Sequence, residues 1–276
     1  MKTGAFTLHR IDGYICNIYL VEYPDRLLLF DSGSINDIPR IESACAAIGR
    51  HPSEIGLVMV SHMHPDHAGG AVALRKKYGL PVAAFREVDR WYAGVGGWLQ
   101  HKLDSLMAQS VALRSKRHLR KILYERIIRP DYKLSDGDTL PGFPDWRALH
   151  VPGHTLHDIA LYHESSQTLY SADCVLEVNG KLQLPLPVMF PDRMRLSYDR
   201  LAALNPKTLL LGHGDPIDMA ERPDIFAVMK EKLDQPPTWL AKRIHLLSIY
   251  SHELMLNPSR RKLWHWHPDQ HHPAGY

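Results

Sequence analysis

Cysteine is scarce in this chain of 276 residues: Cys16, Cys45 and Cys174 lie far apart, with no CxxC pair and no even-numbered framework. That excludes a disulfide scaffold and favours a reducing compartment. Long apolar runs are missing too. No stretch approaches the roughly 20 residues needed to span a bilayer, and the opening Met1 to Phe6 lacks the apolar core of a secretory signal. A strong excess of one charge is also absent: the net charge of +3 is too small to argue a nucleic-acid or membrane partner. Without internal repeats or low-complexity linkers, the chain reads as one cytoplasmic domain, residues 1–276.

Histidine, by contrast, is abundant, with 18 residues. Four ligand-type side chains crowd one short segment, where His62, His64, Asp66 and His67 spell HxHxDH. The preceding Gly56 to Val60 is short, apolar and β-branched, as a buried strand should be. The motif therefore begins where a strand ends, so a rigid sheet can hold residues that converge on one point. His62 and His64 share a face if extended, whereas Asp66 and His67, beyond Pro65, must turn elsewhere. That arrangement suits two adjacent cations.

The rest of the chain repeats the pattern of a polar residue at a strand exit. Runs within residues 5–9, 14–22 and 26–30 predict an opening antiparallel sheet that ends at Asp31, a turn or cap residue unless a metal site gives it a ligand to orient. A helix follows over 38–48, with Cys45 facing the core, and another over 71–78, closed by Gly79. Strands at 146–151 and 168–172 lead to His154 and Asp173. Alternation should turn Cys174 away from whatever Asp173 faces. A strand at 208–211 leads to His213. Residues 182–191 read as a Pro-rich loop and 196–204 as a short helix.

Residues 86–130 stand apart as an insert. Gly94, Gly96 and Gly97 break the chain there, and Trp98, Leu99, Leu103, Leu106, Met107, Leu113, Leu119, Ile122, Leu123 and Ile127 follow a helical period. Its second half is basic, from Arg114 to Arg129, against the lone Glu125. This is either a solvated helix face or a hinged helical lid that turns positive charge toward an anionic substrate. Residues 220–276 form a helical extension, a covering layer or a homodimer contact. In its tail Trp264, Trp266, His265, His267, His271 and His272 read as surface or packing residues, because Pro268 and Pro273 interrupt them.

Five imidazoles and two carboxylates thus stand at four strand exits, enough for two cations if one carboxylate bridges. Imidazole with carboxylate favours zinc, iron or manganese over calcium or magnesium. Asp31, the HxHxDH run, His154 in Pro-Gly-His-Thr, Asp173, and His213 in Gly-His-Gly occur in the order of the five motifs of the metallo-β-lactamase fold superfamily, which the chain resembles from residue 1 to about 220. The resemblance implies an α+β fold, an αββα four-layer sandwich with the metals at one edge of the sheets. By position it implies His62, His64 and His154 on one metal, Asp66, His67 and His213 on the other, Asp173 bridging both, and Asp31 holding a ligand histidine. Two divalent ions, zinc first and iron or manganese next, are the implied cofactors. The pattern is similar to the glyoxalase II and lactonase branch rather than to true β-lactamases.

The expected activity is hydrolysis of an ester, thioester or lactone by a metal-bridging hydroxide, with Asp66 accepting or relaying the proton. His157, Trp98 and Arg114 are candidates for substrate contact. Rival readings keep the ligands and change the chemistry: an iron-dependent sulfur dioxygenase, a phosphodiesterase or nuclease using the basic insert, or a metal-stabilised binding protein.

Overall fold

The computed structural model describes residues 5–114, 119, 120 and 122–247. The His- and Trp-containing tail, together with Lys116, Arg117 and Lys121 of the basic insert, lies outside the described residues. The first half carries strands β1 (Thr7–Asp12), β2 (Asn17–Glu22) and β3 (Leu27–Phe30), helix α1 (Ile38–Ala47), strand β4 (Ile55–Val60), helix α2 (Ala71–Tyr78), strand β5 (Val82–Phe85), helix α3 (Gly94–Arg114) and strand β6 (Tyr132–Leu134). These strands form one sheet in sequence order, antiparallel through β3 and parallel from there.

The second half opens with β7 (Thr139–Leu140), β8 (Phe143–His150), β9 (Ile159–His163) and β10 (Thr168–Tyr170). A small hairpin of β11 (Leu176–Val178) and β12 (Lys181–Gln183) follows, then α4 (Pro191–Ala203), β13 (Thr208–Leu210), β14 (Ile217–Asp218), α5 (Ile225–Asp234) and α6 (Trp239–Leu247). Its six-stranded sheet runs β14, β13, β10, β9, β8, β7, with β10 and β13 parallel.

Strand alternation sorts the apolar residues into three packed layers. Tyr19, Val21, Leu28, Phe30, Leu57 and Met59 of the first sheet meet Trp146, Ala148, Ile159, Leu161, Tyr170 and Leu210 of the second. Their neighbours Ile18, Leu20, Leu29, Val58 and Val60 face outward onto Ile41 and Cys45 of α1 and Ala71 and Leu74 of α2. On the far side Leu149, Ala160, Leu169 and Leu209 pack against Met194, Tyr198 and Leu201 of α4 and Phe226 and Met229 of α5. The result is the expected helix–sheet–sheet–helix sandwich. Truncating one of these buried leucines to alanine costs about 2–5 kcal/mol.

Several local expectations change. Gly94, Gly96 and Gly97 do not break the chain; they form the first turn of α3. A Cβ on Gly97 would overlap the backbone of Tyr92, so glycine here permits close approach. Among the described residues beyond Arg114, Leu119, Leu123 and Ile127 lie in irregular chain rather than in the expected helix. Helix α4 begins at Pro191, because proline's missing N–H costs nothing in a first turn. Cys45 does face the core, and burial pushes its thiol up to about 11, which makes it unreactive.

Helix α3 is turned opposite to its apolar period. Gly97, Gln100, His101, Asp104, Ser105 and Ala112 are buried, whereas Leu106 is 65% and Leu113 49% exposed. The polar side of this helix faces the protein, and it does so beside the histidine-rich sheet edge.

Candidate metal centre

The HxHxDH loop leaves β4 at Ser61 and is pinned from below. Ser32 N–H donates to the carbonyl of His67 at 2.8 Å, and Gly70 N–H donates to Ser32 Oγ at 3.1 Å. Gly70 is required for that approach, since a Cβ there would stand 2.6 Å from the Ser32 carbonyl oxygen. Asp31, at the end of β3, takes the left-handed φ of +58°, a region aspartate tolerates better than most residues. That twist aims its carboxylate inward. It accepts from Ser61 N–H at 2.7 Å, Ser61 Oγ–H at 2.8 Å and His67 Nδ1–H at 2.7 Å, and also from Tyr170 O–H.

Two groups of ligand atoms then face each other across Asp173. In the first, His64 Nδ1 stands 3.1 Å from His62 Nε2 and 2.8 Å from His154 Nε2. Asp173 Oδ2 lies 3.9 Å from His62 Nε2 and 3.7 Å from His154 Nε2. In the second, Asp173 Oδ1 lies 3.2 Å from His67 Nε2 and 3.5 Å from His213 Nε2. Asp66 Oδ2 completes this group, 3.7 Å from His67 Nε2 and 3.3 Å from His213 Nε2. The chain thus brings all seven ligand candidates named from sequence together, with one Asp173 oxygen turned to each group.

These atoms fit cations. Four ligands at zinc's 2.0–2.1 Å bond length stand about 3.3 Å apart in a tetrahedron, close to the spacing found here. Among the described residues no hydrogen bond reaches the buried His67 Nε2 and Asp173 Oδ1, which stand 3.2 Å apart, an expensive condition unless another species satisfies them. Gly212 keeps the space beside them open: a Cβ there would sit 2.9 Å from Asp173 Oδ1 and 3.0 Å from His67 Cε1.

Outward contacts set the tautomers. His62 Nδ1 meets Ser61 Oγ at 3.0 Å, His67 Nδ1 meets Asp31, and His154 Nδ1 meets the Pro187 carbonyl at 2.6 Å. Each acceptor holds the proton on Nδ1 and leaves the Nε2 lone pair pointing inward, as ligation requires. Burial, reinforced by neighbouring imidazoles, drives His62 well below its ordinary value and His64 down to about 3. Burial alone would raise Asp66, but the charges of His67 and His213 outweigh it and bring it down to about 2. The same contest leaves Asp173 well below the carboxylate range, chiefly through His67 once burial is overcome. The centre therefore presents ionised carboxylates and, in its first group, neutral imidazoles.

Asp173 is delivered by a short turn rather than by the predicted strand. β10 ends at Tyr170, and Ala172 adopts a left-handed φ of +46° just before the acid. Cys174 still faces away, into the core beneath α4.

The substrate-contact candidates fare differently. His157 is buried, its Nε2 accepts from Met63 N–H at 3.0 Å and its ring packs against Trp91. These contacts tie it to the HxHxDH loop. Trp98 is 49% exposed and lies beneath the Lys102 ammonium. Arg114 is exposed at the end of α3. Helix α3 instead reaches the centre through Asp104, whose Oδ2 is 3.8 Å from His64 Nε2; Arg114, ten residues on, is about 15 Å farther along the axis.

Ser61, Tyr170, Tyr92 and Asp104 had not been singled out from sequence. For Asp104 a signal existed: small and polar residues recur at 97, 100, 101, 104, 105, 108 and 112, a stripe at helical spacing.

Comparisons with known proteins give the fold and the family. A probable metallo-hydrolase, YqjP, of Bacillus subtilis is 25% identical over 240 residues, covering 79% of this chain and 71% of its own. A hydroxyacylglutathione hydrolase of Cereibacter sphaeroides is 26% identical over 183 residues, covering 65% of this chain and 56% of its own. A metallo-beta-lactamase family protein from Thermus thermophilus shares the fold, with a TM-score of 0.63 at 20% identity over 94% of each chain. Residues 11–213, which hold every motif from Asp31 to His213, match the metallo-beta-lactamase superfamily, and the chain belongs to it.

Proposed function

We propose that this protein is a dinuclear metal-dependent hydrolase that cleaves a thioester, ester or lactone of a small substrate. The observation that carries the reading is the division of Asp173: Oδ2 faces the His62, His64 and His154 group, and Oδ1 faces the Asp66, His67 and His213 group. Bound there, two divalent cations would supply an activated water and polarise the carbonyl under attack.

The protein's own residues do the rest. Asp31, Ser61 and the Pro187 carbonyl keep the ligand lone pairs aimed inward. Asp66, ionised at neutral pH and 8% exposed, is placed to take a proton from the attacking water and relay it to solvent. His213, with a side chain 20% exposed, marks the open side of the centre, where substrate would enter. The hydroxyacylglutathione hydrolase relative supports a thioester over the other acyl substrates. The phosphodiesterase reading loses support, because the Arg126 guanidinium donates to the Tyr92 carbonyl and Arg114 stands away from the ligands.

The test is elemental analysis of untreated protein together with a panel of thioester, lactone, aryl ester and phosphodiester substrates. Two equivalents of metal and turnover of an acyl substrate are expected. A single bound iron with oxygen uptake, or turnover confined to the phosphodiester, would overturn the proposal.

A further inference from the structure

His62, His67 and His154 share one arrangement, with Nε2 inward and Nδ1–H given to an acceptor. His64 is reversed. Its Nδ1 is the nitrogen that meets His62 and His154, at 3.1 and 2.8 Å, so its Nε2 points outward. If Nδ1 binds a cation, the ring's proton must sit on Nε2 and needs an acceptor of its own. The group facing that nitrogen is Asp104 Oδ2, 3.8 Å away.

We propose that Asp104 is the positioning residue for His64, and that through it the insert helix α3 is a working part of the metal centre. The inference rests on the dinuclear reading above. Two neighbours hold the Asp104 carboxylate in place, since Tyr92 O–H donates to its Oδ2 at 2.7 Å and Gln100 Nε2–H to its Oδ1 at 2.6 Å. A separation of 3.8 Å from His64 Nε2 is longer than a hydrogen bond, and a movement of about 1 Å closes it.

The orientation of α3 supports the same assignment. A helix that buries a carboxylate while leaving Leu106 65% and Val95 85% exposed gives up apolar burial, a loss that a committed partner for the acid offsets. Gly97 lets the helix settle directly on the Tyr92 backbone, which brings Asp104 within reach of His64. A helix serving only as a solvated flap or a hinged cover would bury its leucines and expose its acid.

The test is zinc titration against a competing chelator for wild type, D104A and D104N, repeated with cobalt(II) so that absorption reports the three-imidazole group. D104A should bind the cation of the His62, His64 and His154 group about 10–100-fold more weakly, with the other cation unaffected. D104N, whose amide oxygen can still accept from His64, should recover most of the loss. A D104A titration that superimposes on wild type overturns the assignment, as does equal weakening of both cations that D104N does not repair. Failure of the wild type to bind two metals would instead overturn the dinuclear reading itself. If both variants fail to fold, imidazole 15N spectra of zinc-loaded wild type decide: a slowly exchanging Nε2 proton on His64 supports the role, and a rapidly exchanging one refutes it.

Discussion

Asp31 Oδ2 lies 2.7 Å from His67 Nδ1, and the same carboxylate gathers donors from Ser61 and Tyr170. One buried acid thus fixes a ligand tautomer and ties the ends of β3, β4 and β10 together. In Asp31→Asn the amide offers one acceptor oxygen and turns its NH2 toward other donors. Metal affinity should fall about 10–100-fold, and each donor left unpaired should cost about 1–3 kcal/mol of metal-free stability. Chelator competition and thermal melting check both effects; a variant unchanged in both would show that the contacts carry no weight.

The centre's histidines predict a pH optimum for metal-free stability. His62 and His64 are held below their ordinary 6.5 by burial first and neighbouring imidazoles second, His64 at about 3. Between pH 6.5 and about 3 the unfolded chain binds more protons at these sites, so stability falls as pH falls. Burial works in the same sense on His67 and His213 but is outweighed, for both chiefly by Asp173, and their values are raised. Their contribution is complete below 6.5 and is lost as pH rises through the raised values. Melting temperature in EDTA should therefore peak near neutrality and fall on both sides, while zinc, replacing the protons, should remove the alkaline fall. A flat profile in EDTA from about pH 4 to 9 would contradict this.

His157 Nε2 accepts from Met63 N–H, which predicts a role in the loop rather than at the substrate. Replacing it with leucine removes the acceptor for Met63 N–H, a loss of about 1–3 kcal/mol. KM for the best substrate of the panel should stay within about twofold. A large rise in KM with unchanged melting temperature would return His157 to the substrate.

Gly97→Val tests the seating of α3. The added side chain would collide with Tyr92 backbone, which has no flexible end to move aside. Melting temperature should drop, in keeping with an overpacking cost of about 1–3 kcal/mol. If the protein melts as wild type does, α3 is not packed where Asp104 requires.

By itself the sequence determined the strand and helix layering and placed the candidate ligands at strand exits, and its motif order carried the resemblance that implies the sandwich. The short apolar runs Ile18–Val21 and Leu57–Val60, punctuated by Gly79 and by polar residues at strand exits, depend on local chemistry that survives without knowledge of distant partners. HxHxDH, Gly-His-Gly and Asp173 are equally local signals. The tertiary structure alone decided which face of α3 is buried, that His157 is committed to Met63 N–H, and that Asp104 stands over His64. These depend on what lies across the gap: an apolar helical stripe normally turns inward, whereas α3 buries the stripe that carries Asp104, beside the imidazole of His64.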